Sequence, residues 1–456
     1  MFRPTLLGAA SLACLATAAH GQSQILGGGS SGTSNVYVNE YSKFNPGAAA
    51  PRGGPPPQMP PAKFSTYWAA GTPVGQQAFF ADDLTCDIDA VTGANGGACA
   101  GPAGGAGNIV DYAASDAVFS ASQIATWATS AFGQTAARDL VELPSMGAAT
   151  AIAVDNAKIG ANGALTLSDN DLCGVFSGRI TDFDQIADSE VTPEPGPITV
   201  FVRTDFAGSS FWLTNHLAAV CNRGNSNISF TATSHFASLF PGGLPGNFVG
   251  LTGDNSVPSA MAGCDGPVTS ALGYVSPDYT TIDPKSGATL SCSIGGSNRS
   301  PLLVAGVFVG KAAFTPTVKN IVKGLTNPAI GSHLSPPSQS TAADPLSWVP
   351  IVQTVKKGYP IVGYTIFDFA QCYADTNVPA ALTSYTEGGV TEPGFLPLHY
   401  GNKAYQKIEN DNGFATLQQT AKTGFYTSIL ANMLADANGW NTDIGDTNVC
   451  ANFAGR

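Results

Sequence analysis

Three observations predict an α/β fold. Four times along the chain an apolar run that reads as a strand meets a turn bearing Gly, Ser, Thr, Asp or Arg, and then helical spacing. Hydrophobic residues make up 43% of the 456 and charged residues only 11%, so a sizeable core can form. The 53 Gly and 31 Pro demand many turns and modest helix content. Alternating strands and helices argue for parallel strands covered by helices. In such folds ligands bind beyond the carboxyl ends of the strands, where these turns lie.

Residues 1–21 read as a secretory signal, with Arg3 at the start, an apolar run over 6–19 and the small-residue cleavage site Ala19-His20-Gly21. Cys14 as a lipidation site is the lesser reading, because Ser11 stands where Leu is usual. No later stretch is long and apolar enough to span a bilayer. Residues 24–26 read as the first strand. They run into Gly27-Gly28-Gly29-Ser30-Ser31-Gly32 and a helix over Ser34–Phe44. Residues 46–62, rich in Pro, Gly and Ala, read as a loop with polyproline character. Residues 64–70 read as the second strand, turning at Gly71-Thr72-Pro73-Val74-Gly75 into a helix over 76–82. A Gly/Ala-rich loop at 92–107 follows, which a Cys86–Cys99 bridge would staple. Residues 109–113 read as the third strand, ending in Ala114-Ser115-Asp116-Ala117, with a helix over 122–131 and another strand within 140–154. The fourth unit is a strand over 198–202, a turn from Arg203 to Phe211, and a helix over 212–220. Strands at 272–275 and 359–369, an amphipathic helix over 315–325 and a long helix over 415–434 complete the reading. No internal repeat is evident.

The fourth turn carries the clearest chemistry. Arg203, Gly208 and Ser209 lie where a strand hands over to a helix. The first turn of a helix has unpaired N–H groups and the positive end of the macrodipole. Gly208 lets the backbone approach a ligand closely. Together these outline an anion site; the alternative is an ordinary helix start with Arg203 on the surface. Ser31, Thr72, Asp116 and Arg203, one from each turn, can converge on it. The net charge of −12 argues against nucleic acid and anionic membrane surfaces, yet leaves room for an anion held by local neutral donors. Without the signal, eight cysteines remain: Cys86, Cys99, Cys173, Cys221, Cys264, Cys292, Cys372 and Cys450. An even number in an exported chain argues for disulfides. No Cys-x-x-Cys pair occurs and no His sits at ligand spacing from a Cys, so neither zinc nor another cofactor is expected.

With these stretches laid out, the chain resembles the phosphate-binding (PstS-like) proteins of bacterial phosphate ABC transporters, and among them the DING branch. The matching stretches are residues 25–31, Ala114-Ser115-Asp116-Ala117, residues 172–180, residues 203–211, residues 271–275 and residues 359–365, in that order along the chain. The resemblance implies a two-lobed, hinged, type II-like periplasmic-binding fold that closes on one dehydrated inorganic phosphate. The first lobe would take residues 22–117 and 277–456, and the second 118–276. It implies Ser31, Gly32, Thr72, Arg203, Gly208 and Ser209 as donors, Asp116 as acceptor, and Asp205 as the residue that steadies the Arg203 fork. These residue types suit the task. Backbone N–H groups at helix starts bind an anion without a competing counter-charge, and a guanidinium adds a rigid, fully charged fork. Ionised Asp116 accepts and cannot donate, so it fits a protonated phosphate and repels sulfate; the alternative for Asp116 is a plain helix N-cap.

The resemblance also implies Cys173–Cys221 and Cys372–Cys450. Pairing the rest in sequence order gives Cys86–Cys99 and Cys264–Cys292. It further implies a periplasmic or secreted location and a phosphate ABC permease as partner. The chain departs from the family where Ser31 replaces Thr, Thr72 replaces Ser and Ser209 replaces Thr, each keeping a hydroxyl. Ala207 stands where a donor Ser is usual, so one hydrogen bond is expected to be missing.

Two other classes stay open. Gly28-Gly29-Ser30-Ser31-Gly32 satisfies Gly-x-Ser-x-Gly between a strand and a helix, the pattern of a hydrolase nucleophile, with His216, His235, His333 and His399 as candidate bases. It sits on the first strand, early for such a nucleophile. Some DING relatives are associated with phosphatase activity, which keeps a secreted phosphomonoesterase open although no His/Asp metal cluster is readable. The third class is an extracellular interaction protein that keeps the fold as a scaffold.

Overall fold

The computed structural model describes residues 23–46, 59–65, 67–83, 109–264, 268–282, 290–291, 298–299, 301–387 and 389–456. The signal segment, the 92–107 loop, most of the 46–62 loop, and Cys86, Cys99 and Cys292 lie outside the described residues. The first part of the chain runs β1 (Ser23–Ile25), β2 (Gly27–Gly29), α1 (Ser34–Phe44), β3 (Ala62–Phe64), α2 (Thr72–Ala81), β4 (Tyr112–Ser115), α3 (Ala121–Thr129) and β5 (Leu140–Ala149). It continues through β6 (Ala151–Asn156), β7 (Thr166–Leu167), α4 (Asp169–Phe176), β8 (Thr199–Arg203), α5 (Gly208–Val220), β9 (Phe248–Leu251), α6 (Ser256–Met261) and β10 (Ser270–Val275).

Two five-stranded sheets organise the protein. The first has the order β2, β4, the strand Val362–Ala370, β5 and the short strand Ala415–Thr416. The second has the order Leu303–Val304, β6, β10, β8 and β9. The parallel pairs expected are present in both sheets, but each sheet is mixed. In the first, β2 and β4 are parallel and the other pairs antiparallel. In the second, β10–β8 and β8–β9 are parallel, while β6 runs antiparallel to β10 and to Leu303–Val304. The glycine turns sit at the ends of the parallel strands. The antiparallel strands β5 and β6 carry the chain from the first sheet to the second.

That passage occurs at Thr150, between β5 of the first sheet and β6 of the second. Its N–H donates to Ile361 O (3.1 Å), its carbonyl accepts from Tyr359 Oη (2.8 Å), and its Oγ1 donates to Ser209 O (2.9 Å). By sheet membership the boundary expected at 117/118 moves, because α3 and β5 both follow residue 117 and β5 pairs inside the first sheet. The return moves past 276 in the same way, because Leu303–Val304 still pairs with β6.

Elsewhere local chemistry shifts the element ends. The second strand stops at Phe64, whose outward backbone groups Asn45 satisfies: Asn45 Nδ2 donates to Phe64 O and Asn45 Oδ1 accepts from Phe64 N–H (2.9 Å each). Helix α2 starts at Thr72 rather than 76, with Pro73 in its first turn, where a missing N–H costs nothing. Helix α5 starts at Gly208 rather than 212. The long helix expected over 415–434 is instead the strand Ala415–Thr416, the single turn Leu417–Thr420 and the helix Phe425–Asn432. Gly424 at φ 89° separates the two helical pieces.

The core of the first lobe is aromatic. Tyr41 stacks on Phe64 (centroids 3.9 Å apart) and Tyr37 packs on Phe367 (4.9 Å), so α1 buries its apolar face on the sheet. The bridges Cys173–Cys221 and Cys372–Cys450 are present, closing separations of 48 and 78 residues. Each such loop closure typically contributes about 2–4 kcal/mol. Cys264 is disulfide-bonded as well.

Behind α1 lies a buried cluster that the sequence did not reveal. His399 donates from Nδ1 to Glu40 Oε2 (2.9 Å), its Nε2 hydrogen-bonds Ser145 Oγ (3.0 Å), and Glu409 Oε1 lies 3.8 Å from Nδ1. Burial opposes the imidazolium, but Glu40 and Glu409 outweigh it and raise His399 from 6.5 to about 9. Burial also raises Glu40 and Glu409. A histidine raised in the folded state contributes stability that is full below its unfolded value and lost as pH rises through the folded one. The raised carboxyls act in the same direction, since their ionised forms are the penalised ones. Melting temperature is therefore expected to fall from about pH 6.5 to about pH 9. The fall should be shallower in Glu409→Gln, which has no such proton to lose. Thermal melts of both proteins across that range check it, and equal slopes would contradict it.

Candidate anion site between the two sheets

The pocket between the sheets is built from helix starts. Helix α1 begins after Ser31, Gly32 and Thr33, α2 after Gly71, and α5 after Ala207, and none of the three has a side-chain cap at its N-terminus. Ala207 is extended (φ −142°, ψ 143°) and has no acceptor to offer the first turn of α5. The N–H groups of that turn are thus left to a ligand or to water. Ser31, Gly32, Asp116, Gly208 and Ser209 line one pocket together with Trp212, Asp254 and Ser276, whereas Thr72, Arg203 and Asp205 stand behind that lining.

Asp116, at the end of β4, is 6% exposed. Its Oδ2 accepts from Ser30 Oγ (2.5 Å) and Thr72 Oγ1 (3.3 Å), and its N–H donates to Thr72 Oγ1 (3.0 Å). Thr72 therefore does not line the pocket but stands behind Asp116 and fixes it. Oδ1 is buried without a hydrogen-bond partner. Burial pushes Asp116 up to about 6, against the hydrogen bonds from Ser30 and Thr72. Gly208 faces it across the cleft so closely that a Cβ there would lie 2.1 Å from Asp116 Cβ.

Arg203, at the end of β8, is 2% exposed. Its fork is held by Asp205, with Nε donating to Oδ1 (2.6 Å) and NH2 to Oδ2 (2.5 Å). NH1 donates to Asp254 Oδ1 (2.9 Å). Burial opposes the Arg203 charge, but Asp205 and Asp254 more than offset it and its pKa is raised. Tyr274 Oη accepts from Arg203 N–H (3.0 Å) and shares a hydrogen bond with Ser210 Oγ (2.7 Å), tying β8 to α5.

Ser30, Asp254, Trp212 and Ser276 were missed. Ser30 had a signal, the adjacent hydroxyl pair 30–31, but the local pattern does not say which of the two meets Asp116. Asp254 had none, since it comes 51 residues after Arg203. The Gly-x-Ser-x-Gly reading loses its base: Ser30 donates to a carboxylate, and none of His216, His235, His333 and His399 lines the pocket. His216 bridges Gln353 O and Asp169 Oδ1 (3.0 Å each), and His235 stacks on Phe206.

The family model of the PBP superfamily domain matches residues 16–364. The chain belongs to the PBP superfamily. This PBP-superfamily protein is 30% identical over 462 residues to Alkaline phosphatase L of Pseudomonas aeruginosa (strain PAO1), spanning 100% of both chains. It is 31% identical over 365 residues to a phosphate-binding protein of an unknown prokaryotic organism, covering 76% of this chain and 85% of that one. Among solved structures it resembles a high-affinity periplasmic phosphate-binding protein, PfluDING, bound with phosphate at pH 8.5, with 27% identity, a TM-score of 0.66, and 95% and 99% of the two chains covered. It also resembles a DING protein, with 25% identity, a TM-score of 0.65 and the same coverage. The PstS-like, DING-branch resemblance read from the sequence and the two-lobed α/β fold it implied are both borne out.

Proposed function

We propose that this protein binds one inorganic phosphate between its lobes, after export to the periplasm or beyond, and serves phosphate uptake with a permease as partner. The observation that carries the reading is the buried, unpartnered Oδ1 of Asp116 in a pocket lined by the uncapped starts of α1 and α5. An anion that is all acceptor satisfies the N–H groups but leaves Oδ1 orphaned. A phosphate that carries a proton satisfies both, because it offers one donor to Asp116. Ser31, Gly32, Gly208 and Ser209 supply donors, Arg203 supplies charge, and Thr72 and Asp205 hold Asp116 and Arg203 in place. Equilibrium binding of labelled phosphate to the purified protein tests it, and saturation at one per chain is expected. Failure to bind phosphate would sink the proposal.

Two variants probe the site. Asp116→Asn is expected to let sulfate compete with phosphate, since the amide donates a hydrogen bond where the carboxylate only accepts. Sulfate without effect on phosphate binding to that variant would remove Asp116 from the specificity argument. Ala207→Ser is expected to tighten phosphate binding roughly tenfold, because a hydrogen bond to a charged group contributes about 1.5–3 kcal/mol. Titration calorimetry measures it. A higher melting temperature with unchanged affinity would show that the hydroxyl caps α5 instead.

A second reading, a phosphomonoesterase, is favoured by the match to Alkaline phosphatase L along the whole chain. Hydrolysis of an aryl phosphate by the same preparation tests it, with Asp116→Asn as the control that ties any activity to this pocket.

A further inference from the structure

Far along the chain from the anion site, three aspartates come together in the loop 436–446. A carboxylate oxygen from each of Asp436, Asp443 and Asp446 lies within 4.8 Å of the other two. Asp446 is 4% exposed. Its Oδ1 caps the helix Thr447–Cys450, accepting from the N–H groups of Asn448 (2.7 Å) and Val449 (3.2 Å). Its Oδ2 is buried with no partner, and so is Oδ1 of Asp443. Asp436 Oδ1 accepts from Asn441 N–H (3.0 Å). No ion pair among the described residues involves any of the three. Asp443 and Asp446 also meet side chain to side chain, and three clustered carboxyl groups with no cation among them are an arrangement that proteins rarely leave standing.

We propose that this loop binds a divalent cation, Ca2+, through Asp436, Asp443 and Asp446. The donors are all oxygens, with no His or Cys among them, which selects a hard cation. Ca2+ takes oxygens at about 2.3–2.6 Å, so ligands across it stand about 5 Å apart, and it accepts irregular shells completed by carbonyls and water. Mg2+ requires a tighter octahedron at about 2.0–2.1 Å. The loop is already shaped for the ion. Gln371 Nε2 donates to Asn441 O (2.8 Å), Gly445 N–H donates to Gln371 O (2.7 Å) and Thr442 Oγ1 donates to Asn432 O (2.7 Å). The bound ion would clamp this turn against the end of the first sheet, next to the Cys372–Cys450 bridge. None of the three aspartates lines the anion pocket, so the site stands apart from the phosphate reading.

The test uses full-length protein stripped with EDTA and desalted. Calorimetric titration with CaCl2 is expected to show one Ca2+ per chain and a raised melting temperature, with a weaker response to MgCl2. Tb3+ supplied instead should luminesce on excitation of Trp440, which lies in the loop, and Ca2+ should quench that signal by displacement. Asp443→Asn is chosen because it leaves the Asp446 cap intact. It is expected to lose both the Ca2+ heat and the thermal shift while still binding phosphate. Should Asp443→Asn fail to fold, Asp436→Asn must show the same loss. Stripped wild-type protein that takes up no Ca2+, or a folded variant that responds to Ca2+ as the parent does, overturns the proposal.

Discussion

Arg203→Ala is expected to weaken phosphate binding by several hundredfold or more. Arg203 is buried, and its fork and NH1 hold Asp205 and Asp254. Removing it takes the positive charge from behind the pocket wall and leaves Asp205 and Asp254, the second of which lines the pocket, without their cation. Asp205 does not swing away, because its Oδ2 also accepts from Gly253 N–H (3.1 Å). Breaking one partner of a buried ion pair typically costs about 3–5 kcal/mol, and each 1.4 kcal/mol is a tenfold change. Arg203→Lys should fall between, keeping the charge but losing the fork that spans both Asp205 oxygens. Titration calorimetry decides it, with a circular dichroism melt to confirm that the variant is folded. A folded Arg203→Ala protein that binds phosphate like the parent would sink the whole site assignment.

Gly208→Ala is expected to lower phosphate affinity by up to about a hundredfold through a different route. The added methyl would stand 2.1 Å from Asp116 Cβ, an atom fixed to the backbone of the opposite lobe. No side-chain rotation relieves that overlap, so the lobes must part. Overpacking of this kind typically costs about 1–3 kcal/mol. In the open form that a hinged two-lobed binding protein would adopt the clash is absent, so the cost is expected to fall on closure and not on folding. The ligand-free melting temperature should therefore change little, while calorimetry shows the weakened binding and solution scattering shows a smaller contraction on adding phosphate. An unchanged affinity would mean that the lobes do not need this contact to close.

The chemistry of the site was legible because it is local. A glycine and hydroxyl turn between an apolar run and a helical pattern is written in a few consecutive residues. Arg203 and its steadying Asp205 are two positions apart, and Gly208 with Ser209 opens the next helix. The order of several such stretches along one chain was enough to place it near the DING proteins. The helix Ser34–Phe44 was read to its ends because its apolar positions keep one face and its flanks carry turn residues. The C-terminal helix was misread because one apolar pattern ran on across Gly424, whose positive φ splits it.

What stayed hidden depends on residues that meet only after folding. Ser30 reaches Asp116 across 86 positions and Arg203 reaches Asp254 across 51. No spacing rule connects such pairs, and neighbouring serines carry equal local signals until the backbone aims one of them. The same holds for His399 and Glu40, 359 positions apart. Strand direction was hidden too: a buried apolar run reads alike in a parallel or an antiparallel pair, and the crossing at Thr150 set it. Amino-acid order specified the kinds of groups and the local turns that carry them, because hydrogen bonding and periodicity over a few residues are written there directly. Long-range packing chose which oxygen of Asp116 is left without a partner, which carboxylates share Arg203 and how closely Gly208 approaches. Those outcomes depend on how whole sheets and helices seat against one another.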